Sequence, residues 1–135
     1  MFYPMFTMVV LTLIVAGILL FSRINAAKSG SVDPRVFKLN QSKEIPERLI
    51  QITNNYSNLF EIPVLFYIAC LLCMVWQFQS QLMLGLAWVF VASRIVHSWI
   101  HLTRNKIIPR LFAFLTSVIC VLIMWIMLFI HLASR

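Results

Sequence analysis

The chain has 135 residues, of which 61% are hydrophobic and 11% charged. Soluble domains carry about 25% charged residues, so an ordinary soluble fold is excluded, and a mean hydropathy of +0.91 excludes a disordered chain. The net charge is +7, but most basic residues fall in two short polar stretches between apolar runs, a membrane-protein pattern, so no nucleic-acid partner is expected.

The length suggests a single domain. Met1 to Ser22 carries no charged side chain. A spanning helix needs about 20 apolar residues, so this is one span. Met1-Phe2-Tyr3-Pro4 holds no basic residue, and the apolar run is too long for a signal peptide, so the span is expected to be retained. A polar connection follows from Arg23 to about Arg48, with Ser29-Gly30-Ser31 and Asp33-Pro34 as breakers. Within it, Glu44-Ile45-Pro46-Glu47 reads as a helix start, because proline and acids suit a first turn.

Ile62 to Ser93 is free of charge but too long for one straight span. The polar run Gln77-Phe78-Gln79-Ser80-Gln81 divides it at an interfacial turn. Neither half reaches span length alone, so each borrows residues from its other end. That draws Asn58, Glu61, Arg94, His97 and His101 into or near the bilayer. Leu111 to Ser134 is the fourth run, with His131 as its single ionisable side chain. The expected fold is an all-α integral membrane four-helix bundle, with spans at about 2–22, 55–77, 82–101 and 110–132. The long connections are then about 23–48 and 102–110.

The basic residues orient it. Arg23, Lys28, Arg35, Lys38, Lys43 and Arg48 occupy the first connection, and Arg104, Lys106 and Arg110 the third. The second connection has no Lys or Arg, and the C-terminus only Arg135. Both basic connections are therefore expected on the cytoplasmic side, with both termini on the non-cytoplasmic side.

Charges inside spans are costly and point to function. Glu61 and Arg94 are expected roughly 24 Å and 18 Å from the outer turn, in the same half of adjacent antiparallel helices. Asn54, Asn58 and Glu61 fall at i, i+4, i+7, and Arg94, His97 and His101 at i, i+3, i+7, giving each helix a polar stripe. A structural ion pair between Glu61 and Arg94, or stripes that simply face water, are the plainer readings. His97 and His101 have the spacing of a shared metal site, but residue 98 is serine and Arg94 and Arg104 oppose a cation, so no metal is expected. Cys70 and Cys73 have C-x-x-C spacing, yet their neighbours are apolar, so with Cys120 they read as packing residues.

The implied site is a cationic, partly buried pocket. Arg94 and Arg110, with Arg104 or Lys106, supply positive charge, and Asn58 and Glu61 supply acceptors and donors. A matching ligand is small and anionic and carries an amine. Arginine holds carboxylates in a fork, and beside a thiol it raises the reactive thiolate fraction.

The run Asn58-Leu59-Phe60-Glu61-Ile62-Pro63 resembles the asparagine–glutamate motif of the MAPEG family, the membrane-associated proteins in eicosanoid and glutathione metabolism. Arg94, then His101, then Pro109-Arg110 is similar to that family's pattern of an arginine, a residue seven later that is usually tyrosine, and an arginine nine after that. The resemblance runs from about Arg48 to the chain's end. It implies a homotrimer that binds glutathione as co-substrate between subunits and acts on a lipophilic substrate delivered from the lipid bilayer. Carried over by position, Asn58, Glu61, Arg94 and His101 are glutathione-binding residues, and Arg110 is the catalytic residue that holds the thiolate. Arg23 matches by approximate place only.

Two positions depart from the family pattern: Asn54 stands where an arginine is common, and His101 where a tyrosine is usual. They make the chain look like a divergent bacterial member, which places it in the inner cell membrane. The expected function is that of a glutathione-dependent transferase or peroxidase. The alternative is a catalytically inert member with a structural or lipid-binding role. A small four-span drug exporter fits less well, since its first span would need an acid and Met1 to Ser22 has none.

Overall fold

The computed structural model describes residues 1–30, 45–78 and 80–134. Ser31, Asp33-Pro34, Arg35, Lys38, Lys43, Glu44, Gln79 and Arg135 lie outside the described residues. Among the described residues five helices follow in order: α1 (Phe2–Lys28), α2 (Glu47–Asn58), α3 (Ile62–Val75), α4 (Gln81–Leu102) and α5 (Ile107–Ala133). Among the described residues there is no strand. Four helical stretches of the described residues are long and apolar enough to cross a membrane: Phe2–Lys28, Glu47–Val75, Gln81–Leu102 and Ile107–Ala133.

The second stretch is two helices rather than one, with a break at Leu59, Phe60 and Glu61. Pro63 accounts for it. It has no N–H to give the Leu59 carbonyl, its ring collides with that carbonyl in a continuous helix, and it disfavours helical backbone at the preceding residue. The chain tightens instead, with Leu59 N donating to Tyr56 O and Phe60 N to Ser57 O. At about 21 Å, α3 alone falls short of the roughly 30 Å hydrocarbon thickness. The second crossing therefore needs α2, which begins at Glu47 directly after Pro46. The first helix also outruns expectation, continuing to Lys28 and placing Arg23 inside it. At the opposite end of the bundle, Gln77 takes a left-handed φ of 52° and the Ser80 hydroxyl accepts from Met83 N to start α4.

The helices form a ring. α1 touches α3 and α4, and α5 touches the same two, with α4 and α5 making the most extensive pair. Phe66 of α3 and Phe90 of α4 stack across the middle at 4.2 Å. Around them the core is Met8 and Val15, Ala69, Cys70 and Cys73, Met83, Ala87 and Val91, then Cys120, Val121, Met124 and Leu128. The three cysteines are free thiols, and each is buried. With the alanines they let backbones approach closely, the packing that serves helices in lipid. A second cluster of Leu19, Ile45, Leu49 and Ile52 seats α2. The apolar side chains turned outward, such as Phe21, Val75, Phe112 and Phe129, make the surface as greasy as the core. That distribution suits a lipid solvent, not water.

Candidate functional site

The helix break puts a polar group where a span would otherwise have none. In an unbroken helix the Asn58 carbonyl would accept from the N–H four residues on. Here it accepts from Arg94 Nη2 at 3.1 Å instead. The same guanidinium nitrogen donates to Asn58 Oδ1. Arg94 is fully buried, and its Nε and Nη1 have no hydrogen-bond partner. The hydrogen bonds of Arg94 thus go to Asn58, while Glu61 stays exposed at the break and acts on Arg94 through its charge.

Next to this contact lies a cavity of about 430 Å³. Asn54, Ser57 and Asn58 of α2 line it, then Glu61 at the break, His97 and His101 of α4, and Ile107, Arg110, Leu111 and Phe114 of α5. The stripe Asn54, Asn58, Glu61 survives the break as one wall. The other expected stripe splits. His97 and His101 line the cavity, but Arg94 does not, because it lies about 10 Å deeper along α4 than His101. Arg23 is not a lining residue, and neither is Arg104 or Lys106. Of the basic residues proposed for the pocket, Arg110 alone is among its lining residues.

Arg110 is held on three sides. Its Nη1 donates to Asn105 Oδ1 at 2.7 Å and lies 3.3 Å from His101 Nε2. A guanidinium can only donate, so the His101 ring accepts there and carries its proton on Nδ1. The Arg110 carbonyl, 3.1 Å from His97 Nδ1, can only accept, which fixes His97 as the donor. These contacts draw the start of α5 onto the end of α4. Gln51 of α2 completes the corner, its Nε2 donating to the His101 carbonyl, one of the last-turn acceptors that α4 cannot satisfy itself.

Two contributors, His97 and Asn105, were not among the sequence-derived site residues. His97 was noted as part of a stripe and as half of a metal-like spacing, not as a site residue. Asn105 holds Arg110 from a turn in which it takes a left-handed φ of 45°, and asparagine in a short polar turn is the available signal. Asn55 is fully buried, with neither amide atom partnered. It shares the buried face of α2 with Ile52 and Leu59, outside the polar cavity.

An apolar groove of about 430 Å³ runs along the seam of α3 and α5, lined by Ile62, Leu65, Val118, Val121, Leu122 and Trp125. It adjoins the polar cavity in sequence twice, at Glu61–Ile62 and one turn beyond Phe114. Trp125 Nε1 donates to the Leu65 carbonyl at 3.2 Å, which gives its one polar atom a partner.

The sequence matches the MAPEG family over residues 1–130. The chain belongs to the MAPEG family. Its four apolar crossings make it an integral, multi-pass membrane protein of that family, in a lipid bilayer. No curated protein and no solved structure matches it.

Proposed function

We propose that this MAPEG protein is a glutathione-dependent transferase or peroxidase acting on lipophilic electrophiles. The observation that carries the reading is the cavity in which Asn58, Glu61, His101 and Arg110 meet beside an apolar groove. Glutathione has an ammonium, two carboxylates and a thiol. Glu61 offers a carboxylate to the ammonium. Arg110 offers a guanidinium already aimed by Asn105 and His101, so little orientation is left to fix on binding. Arg94 supports the reading from behind, by holding Asn58 in place.

Arg110 stabilises the thiolate as the thiol proton leaves to water. In conjugation, the sulfur lone pair attacks an electrophilic carbon, a C–S bond forms, and the leaving group departs with its electron pair. With a lipid hydroperoxide, sulfur attacks the distal oxygen and the O–O bond breaks. A second glutathione then gives the disulfide, the lipid alcohol and water. The apolar groove suits a substrate that enters sideways from lipid. In a homotrimer of the kind the family resemblance implies, glutathione would bind between neighbouring subunits.

The test is calorimetric titration of glutathione into the purified protein in detergent, with conjugation of chlorodinitrobenzene followed alongside. Glu61→Gln should weaken binding, and Arg110→Ala should lower turnover by about 10²-fold or more, the usual cost of one charge-stabilising donor. Unchanged turnover in Arg110→Ala refutes the role given to it. A well-folded wild type that binds no glutathione refutes the proposal and favours the inert, structural alternative.

A further inference from the structure

Arg104 and Lys106 are cations that the polar cavity does not use. They lie on the other side of the α4–α5 turn, in a separate cavity of about 390 Å³ lined by Trp99, Ile100, Thr103, Arg104, Lys106 and Pro109. The two cavities share no lining residue. No acidic residue follows Glu61 in the sequence, so this stretch of the chain carries no carboxylate to neutralise the pair. The Thr103 hydroxyl is engaged with the Trp99 carbonyl at 2.7 Å, which fixes the floor between aromatic wall and cationic rim.

The position is interfacial. The turn joins two membrane-crossing helices, and the Trp99 ring is 71% exposed. Exposed tryptophan at the end of a span sits at headgroup level. Ile100 lines the cavity, and just beyond it Ile108 is 69% exposed, so the charges have apolar neighbours. A cationic rim above aromatic and aliphatic walls complements a phosphate joined to a glycerol backbone and acyl chains. Basic pockets between crossing helices hold anionic lipid headgroups by this chemistry.

We propose that this cavity is a binding site for the headgroup of an anionic phospholipid, with Arg104 and Lys106 on the phosphate and Trp99 against the glycerol region. The occupant is a membrane lipid rather than a soluble phosphate, because Trp99 and the isoleucines contact only a ligand that has an apolar part. The site is independent of the glutathione reading.

The test is native mass spectrometry of the full chain released from micelles doped with phosphatidylglycerol or with phosphatidylcholine. Wild type should retain phosphatidylglycerol over phosphatidylcholine. Arg104→Gln/Lys106→Gln should weaken that retention by about thirtyfold, the combined contribution of two basic side chains at an anionic surface. The control Lys28→Gln/Arg48→Gln removes the same charge from exposed positions that do not line the cavity and should weaken retention clearly less than Arg104→Gln/Lys106→Gln does. All the altered side chains are exposed, and thermal unfolding checks that each variant is folded. Equal loss in the two double variants would reduce the effect to overall charge and overturn the proposal. Equal retention of the two lipids would also overturn it. So would displacement of the lipid by millimolar inorganic phosphate, which would identify a soluble anion as the ligand.

Discussion

Replacing Asn58 by alanine removes the Oδ1 acceptor from a guanidinium that is fully buried and already has two nitrogens without partners. A hydrogen bond to a charged group contributes about 1.5–3 kcal/mol net. The Asn58 carbonyl remains as a second acceptor, so the loss should fall near about 2 kcal/mol. For a chain of this size that lowers Tm by roughly 6–10 °C. The assay is built into the protein. Cys70, Cys73 and Cys120 are buried free thiols, so a thiol-reactive fluorogenic dye reports unfolding in detergent. The informative comparison is Arg94→Met, alone and combined with Asn58→Ala. Removing both partners of a buried polar contact costs far less than removing one, so the double variant should be no less stable than Asn58→Ala. The cycle should return a coupling of about 2 kcal/mol. Additive losses would refute the argument that Arg94 and Asn58 act as a pair.

Two further outcomes test the surroundings. Asn55→Leu replaces a buried amide that has no hydrogen-bond partner with an apolar group of similar size. Stability should rise by about 1–3 kcal/mol, the desolvation cost of the amide, and a fall in Tm would show that the amide has a partner. Asn105→Ala and Asn105→Gly both remove the acceptor that aims Arg110, but only alanine is strained at the left-handed φ, by roughly 1–2 kcal/mol. If Asn105 acts by positioning Arg110, glutathione-dependent turnover should fall equally in both while Tm falls only in the alanine variant. A turnover loss confined to alanine would assign Asn105 to turn geometry alone.

Much of the architecture was legible because hydropathy in a membrane protein is set by the solvent rather than by the fold. A residue in lipid must be apolar whatever it touches, so four apolar runs name four crossings. Polar residues near such runs are conspicuous for the same reason, which is why Asn58, Glu61, Arg94, His97 and His101 stood out once span length drew them toward the bilayer, whereas the role given to Arg110 came from the family resemblance. Pro46 at a helix start and the glutamine-rich turn followed from local chemistry that needs no partner helix.

What the sequence could not decide was which charge faces which cavity. Helix period places Arg94 and His101 on one face of α4, yet seven residues separate them, and that depth puts Arg94 against Asn58 while His101 meets Arg110. Pro63 signals a break, but where the freed Asn58 carbonyl turns for its partner depends on α4 lying alongside. Arg104, Lys106 and Arg110 fall within one short stretch, and the turn at Asn105 sends them to opposite sides. Residue type and spacing fix the chemistry available to each helix. Only the packing of α4 against α2 and α5 decides which groups meet, because a contact belongs to two helices and a period describes one.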